Sequence, residues 1–194
     1  WAISTATEWL DGAQRCAKAL EDPRSYSPVL ARRARKIDLG GVAARIDEFR
    51  DSLSSLPQCF CHNDLSNTNV HRDGQTTRLI DFEFAGRNYR GFDLAVHFSH
   101  WAGGAVDGRY NDAAFPTAAE QRPFLEAYAA ADGAVTAEAL AEEIRAALPL
   151  AHLVWGLWAL CALPAAAAAG KLQPFSHIEY AERRLAAYEA ACVL

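Results

Sequence analysis

From Ala146 to Gly170 the chain carries no formal charge apart from what His152 can acquire, and this run constrains the fold more than any other part. Its length could span a bilayer. Pro149, Pro164 and the polar His152 argue against that. Pro164 should end or kink the helix, leaving an uninterrupted stretch of Leu150–Leu163 that is short for a crossing. A helix buried all round in the core of a mainly helical domain is the expected form. The rest of the chain supplies helices to cover it. Helical spacing runs through Trp9, Ala13, Cys16 and Leu20, with a break near Asp22-Pro23, and again through Val42, Ile46, Phe49 and Leu53 until Pro57. Further helices are expected over Asp93–Trp101, Thr117–Ala131 and Thr136–Leu148, the last with a capping box at Thr136, and from Ser176 onward. Arg32, Arg33, Arg35 and Lys36 read as a solvated helix face. Gly103–Pro116 reads as a loop and Ala165–Gly170 as low complexity.

Chemistry concentrates between residues 62 and 83. His62-Asn63-Asp64-Leu65-Ser66-Asn67-Thr68-Asn69 is followed by Leu79-Ile80-Asp81-Phe82-Glu83, and Asp73-Gly74 between them signals a hairpin from Asn69–His71 into Thr77–Phe82. The hairpin brings Asn69 and Asp81 to one cleft. Phosphoryl transfer from a magnesium nucleotide asks little covalent chemistry of a protein. It needs a carboxylate to orient and deprotonate the attacking hydroxyl, and oxygen ligands for the metal. Asp64 fits the base, Asn69 and Asp81 the metal ligands, and Glu83 a second-metal or supporting group. Each piece alone is also ordinary turn chemistry, since Asn, Asp and Ser favour turns. Together and in this order they favour a kinase-type site.

Cys61-His62-Asn63-Asp64, Ile80-Asp81-Phe82-Glu83-Phe84-Ala85-Gly86, Asn88-Tyr89-Arg90-Gly91-Phe92-Asp93 and His97-Phe98 resemble the choline and ethanolamine kinases. Trp155-Gly156-Leu157-Trp158 and Tyr180-Ala181-Glu182-Arg183-Arg184 resemble that family's C-terminal region. The likeness is strong over 59–101 and 151–190 and loose elsewhere. It implies an α+β, mainly α, protein-kinase-like (aminoglycoside-phosphotransferase-like) C-terminal lobe with a small active-site β-hairpin. It also implies use of ATP and Mg²⁺ to phosphorylate ethanolamine or choline, the entry step of phospholipid head-group synthesis. Trp155, Trp158 and Tyr180 would surround the substrate ammonium, with His100 beside them; Ile80 and Asp81 would meet the nucleotide. His62, Asp93 and Arg184 would support the loop, although Arg184 could equally form an ion pair. Two tryptophans on an apolar helix are as often core as cage. His100 stands where choline kinases place an acid, and Ala105 where they place a cage tyrosine. The balance tips slightly to ethanolamine, with an antibiotic-type kinase or a non-catalytic binding lobe as alternatives.

Other features set boundaries. The chain's 194 residues, 51% of them apolar, suit one domain, and a net charge of −5 offers no basic surface to nucleic acid. Five cysteines at irregular spacing do not form a secreted disulfide framework. Cys59-Phe60-Cys61-His62 lacks a second cysteine pair at zinc spacing, so buried thiols are expected there. No charged-then-apolar signal opens the sequence, and the cytoplasm is the expected compartment. A homodimer stays open. No Gly-rich phosphate loop, strand lysine or paired helix glutamate precedes residue 62, and the Gly40-Gly41 pair is too sparse to serve. With no methionine present, residues 1–194 are expected to be one C-terminal lobe whose N-terminal nucleotide-binding lobe is missing.

Overall fold

The computed structural model describes residues 1–20, 27–169 and 175–192. The expected break at Asp22-Pro23 lies outside them. Seven helices and two small antiparallel ribbons follow in chain order. These are α1 (Ala2–Ala19), α2 (Pro28–Ala34), α3 (Val42–Ser52), β1 (Gln58–Cys61), β2 (Val70–Asp73), β3 (Thr76–Leu79), β4 (Gly86–Tyr89), α4 (Arg90–Trp101), α5 (Ala118–Asp132), α6 (Ala137–Ala168) and α7 (His177–Ala191). β1 pairs with β4, Gln58 opposite Tyr89 and Cys61 opposite Gly86. β2 pairs with β3, Val70 opposite Leu79 and Asp73 opposite Thr76.

The charge-free run is the axis of the core. α6 packs against α7, α1 and α4, and 72% of its most apolar stretch is buried in the fold. By length and composition it could cross a membrane; in this fold it is a core helix. Leu150, Leu153, Leu157 and Leu163 are fully covered, each contributing roughly 1.5–3 kcal/mol. That sum explains why the expected break at Pro164 does not occur. Pro149 and Pro164 leave the carbonyls of Arg145 and Leu160 without their helical N–H partners, at about 3 kcal/mol each, and burial outweighs this. The separate helices expected over 136–148 and 150–163 are therefore one, and it absorbs part of the low-complexity stretch as far as Ala168. At Gly156 α7 comes so close that an added Cβ would lie 2.8 Å from Leu185 Cγ.

The helix starts differ from expectation in one respect. Thr136 caps α6 by accepting from the Ala139 N–H alone, because the third helical residue is an alanine rather than an acid. The capping box belongs to α5, where Thr117 and Glu120 bond reciprocally. Arg33, expected to be solvated, makes a two-pronged pair with Glu182 of α7 at 2.6 and 2.9 Å. Arg90 and Glu143 make another between α4 and α6, at 2.6 and 3.0 Å and nearly buried. β4 was not anticipated: Gly86–Tyr89 shows no apolar alternation, and its pairing with β1 supplies the order.

Candidate active site

The loop between β1 and β2 is held from behind by α4. Asp93, in the first turn of α4, accepts the backbone N–H of His62 at 2.9 Å and of Asn63 at 2.7 Å. Burial raises its pKa, and those two donors oppose the rise. His97, one turn on, places Nδ1 3.1 Å from the Leu65 carbonyl; burial lowers its pKa, so the neutral ring donates there. His62 bridges forward, its Nδ1 accepting the Asp64 N–H at 3.3 Å and its Nε2 donating to the Ile80 carbonyl at 2.8 Å. This pairing selects the Nε2–H tautomer. His62 and Asp93 thus tie the loop to Ile80, just after β3, and to α4 through hydrogen bonds.

Asn63 adopts a left-handed backbone, φ 67°, which Asn tolerates better than most residues. Its side chain is fully used. Nδ2 donates to the Phe84 carbonyl at 2.8 Å, and Oδ1 accepts from Asn88 of β4 at 2.7 Å. The Asn88 side-chain oxygen Oδ1 in turn accepts the Ala2 N–H of α1 at 3.3 Å. Sequence reading missed this network, because its partners lie 25 and 86 residues apart.

Asp64 emerges from this frame with Oδ2 accepting from Asn69 Nδ2 at 3.0 Å, while the same amide also donates to the Asp64 carbonyl at 2.9 Å. The Asn69 amide oxygen makes no hydrogen bond among the described residues. The Ile80 N–H donates to the Asn69 carbonyl at 3.0 Å, closing the open end of the hairpin and setting Asp81 beside Asn69. Asp81 is also left-handed, φ 63°, and exposed. Asn69, Asp81 and Glu83 therefore offer an amide oxygen and two carboxylates around the hairpin mouth, a hard-oxygen set that suits Mg²⁺. Among the described residues no group of three His, Cys, Asp or Glu is close enough to hold a metal unaided, so substrate oxygens or water would complete the shell.

A cavity of about 130 Å³ opens beside Asp64. Asp64 and Glu83 share its walls with His100, Trp155, Trp158 and Tyr180. The Trp155 and Trp158 rings meet edge-on with centroids 5.5 Å apart, and Tyr180 stands perpendicular to Trp158 at 6.3 Å. Phe84 and Phe175 complete the aromatic wall, neither anticipated; Phe84 sits edge-on to Trp155 at 5.5 Å. Gly104 is required here, since its φ is 90° and a Cβ would come 2.7 Å from the Tyr180 ring. Ile80, Asp81 and Asn69 do not line this cavity. The Ile80 side chain is exposed, as are those of its neighbours Leu79 and Phe82.

The residues matched by the model of the choline/ethanolamine kinase family are 1–189, nearly the whole chain. The chain belongs to this family. Mouse ethanolamine kinase 2 is 32% identical over 143 residues, which is 69% of this chain and 36% of that protein. Human choline/ethanolamine kinase is 26% identical over 206 residues, covering 93% and 49% respectively. Among solved structures, choline kinase from Cryptosporidium parvum has a TM-score of 0.72 at 16% identity, covering 99% of this chain and 56% of that one. Plasmodium vivax ethanolamine kinase has a TM-score of 0.68 at 24% identity, covering 92% and 48%. These two likenesses establish the fold, a mainly α kinase-like lobe. This chain spans between about a third and a half of the length of the first relatives it matches.

One position in this kinase-family lobe behaves differently from expectation. Arg184 does not brace the 62–69 loop and has no carboxylate partner among the described residues. It is fully buried, Nη2 donates to the Ala151 carbonyl at 2.9 Å, and its guanidinium lies 4.9 Å from the Tyr110 centroid and 5.7 Å from that of Tyr180. It props the back of the aromatic wall. His100 is buried with neither ring nitrogen well aligned to a partner, although Nε2 lies 3.3 Å from Asp64 Oδ1. Burial lowers its pKa more than Asp64 restores it, so the ring is neutral near pH 7.

Proposed function

We propose that this lobe carries the phosphoryl-acceptor half of an ATP- and Mg²⁺-dependent amino-alcohol kinase, with ethanolamine preferred over choline. The observation that carries the reading is a single cavity with the Asp64 carboxylate at one wall and the rings of Trp155, Trp158 and Tyr180 at another. A hydroxyl and an ammonium separated by two carbons can engage both at once. Asp64 orients the substrate hydroxyl and accepts its proton as the oxygen attacks the terminal phosphoryl group. Asn69 holds Asp64 in place by its amide N–H and keeps its amide oxygen for the metal. Asp81 and Glu83 supply carboxylates, and Ile80 and Asp81 face the nucleotide. Mg²⁺, when bound, neutralises charge on the phosphates.

The lean to ethanolamine has two supports. The cavity is small, about 130 Å³, and ethanolamine needs less of it than choline with its added methyl groups. Neutral His100 has one acceptor nitrogen without a well-aligned partner, which a primary ammonium can use and a trimethylammonium cannot. Rings over a cation add roughly 0.5–2 kcal/mol each for either substrate. The test is kcat/KM of the complete enzyme for ethanolamine, choline and a bulky aminoglycoside with ATP and Mg²⁺. A higher value for ethanolamine supports the reading. A higher value for choline reverses the preference, and turnover of the aminoglycoside alone defeats the amino-alcohol assignment. Head-group synthesis in the cytoplasm is the role this activity would serve.

A further inference from the structure

Cys59-Phe60-Cys61 stands apart from the chemistry above. The two cysteines are two residues apart on β1 and therefore share a face of the strand. Their sulfurs are 3.6 Å apart. Contrary to the expectation of two buried thiols, Cys59 is exposed and only Cys61 is buried. Cys61 Sγ sits 3.5 and 3.6 Å from the carbonyls of Asn88 and Tyr89, and it directly precedes His62, whose N–H is anchored by Asp93.

We propose that Cys59 and Cys61 form a reversible redox modification site, oxidised to an intrastrand disulfide by a low-molecular-weight disulfide. This inference does not depend on the proposed activity. The exchange balances in two steps. The Cys59 thiolate attacks one sulfur of the small disulfide, forming a mixed disulfide and releasing one small thiol, which takes up the Cys59 proton. Cys61 then gives up its proton and attacks Cys59 Sγ, forming the Cys59–Cys61 bond and releasing the second small thiol. The protein loses two electrons and two hydrogens, and the small disulfide becomes two thiols.

The exposure difference sets the order. Cys59 is open to the oxidant, whereas Cys61 is reached only through its neighbour. Burial and the nearby Asp93 carboxylate push the Cys61 thiol well above its ordinary range, so the second step is the slower and quickens as pH rises. The sulfurs are already in contact, so the second attack has the high effective concentration of an intramolecular reaction.

The 194-residue chain is equilibrated with graded ratios of reduced to oxidised glutathione, quenched in acid, alkylated after unfolding and mapped by peptide mass spectrometry. Exposed Cys192 serves as the internal reference thiol. The expected result is that the peptide holding residues 59–61 passes from two alkylations to none, two hydrogens lighter than its reduced form. Its midpoint should fall at least ~10-fold to the reducing side of the ratio that converts Cys192. Dithiothreitol should restore both alkylations. In Cys61→Ser, Cys59 should stop at the glutathione adduct; in Cys59→Ser, an exchange at an exposed position, Cys61 should remain alkylatable throughout. The proposal is overturned if Cys59 of the unaltered chain accumulates as the glutathione adduct, or if both thiols stay alkylatable once Cys192 has been converted.

Discussion

The loop at residues 62–69 and the cavity wall facing it are built on opposite principles. At the base of the loop, donors and acceptors are matched: Asp93 takes two backbone N–H groups, His62 bonds through both nitrogens, and the Asn63 amide is used at both ends. Across the cavity, both His100 nitrogens and the Trp155 indole N–H are buried without a well-aligned partner. An unmatched buried polar group costs about 1–3 kcal/mol. The base of the loop is therefore fixed by its own hydrogen bonds, while the wall keeps unmet bonding capacity that a small polar ligand can satisfy. Substitutions in the two regions should accordingly fail in different ways.

The largest effect is expected at the end of the loop. Asp64→Asn keeps the shape but removes the proposed proton acceptor, and turnover of the complete enzyme should fall by at least ~100-fold with little change in melting temperature. Near-normal turnover would remove Asp64 from the chemistry. Next comes the loop's anchor. Asp93→Ala deletes the shared acceptor of His62 and Asn63, and hydrogen bonds to a charged group contribute about 1.5–3 kcal/mol each. A loss of about 3 kcal/mol in denaturant unfolding, together with lower kcat, should result. Lower kcat with unchanged stability would mean that the loop does not depend on this carboxylate for its folding.

Much of this contrast could be read in the amino-acid order, because it rests on local spacing. Asp64, Asn69 and Asp81 fall around a hairpin whose turn signal is explicit, and Trp155 and Trp158 share a helix face by being three apart. What escaped depends on contacts between distant segments. The Asn63–Asn88–Ala2 connection joins three elements, and β4 is a strand only because β1 lies beside it. Pro164 looked like a helix end because local rules cannot weigh the burial that carries α6 past it. Arg184 read as support for the loop or equally as half of an ion pair, and only the packed structure puts its guanidinium against two tyrosine rings.

The wall should respond in affinity more than in stability. Trp158→Ala removes one ring from the cavity, and the amino-alcohol KM should rise by about 2- to 30-fold, the equivalent of roughly 0.5–2 kcal/mol, with the ATP KM nearly unchanged. Equal rises in both KM values would point to a general disturbance of the lobe and against a cage.

The smallest effect concerns pH and separates the wall from what lies behind it. His152 is buried against the Tyr110 ring, 5.6 Å between centroids, and burial followed by the Arg184 charge holds its pKa well below the ordinary 6.5. His97 and His100 are lowered in the same direction, chiefly by burial. A histidine whose folded pKa is depressed binds its proton more readily once unfolded. Its contribution is fully present above about pH 6.5 and is lost as pH falls toward the folded value. The Asp93 carboxyl pulls the other way, because its folded pKa is raised above the ordinary 3.8, so across pH 7.5 to 5.5 the difference between the unaltered chain and a histidine variant is what reports the histidines. The melting temperature should therefore drop across that interval as acid is added. His152→Leu should flatten the drop while leaving the KM for the amino alcohol almost unchanged, since His152 does not line the cavity. His100→Leu should flatten it as well but raise that KM, because it removes an acceptor at the cavity wall. If the two variants altered KM alike, the distinction between ligand-facing wall and structural backing would not hold.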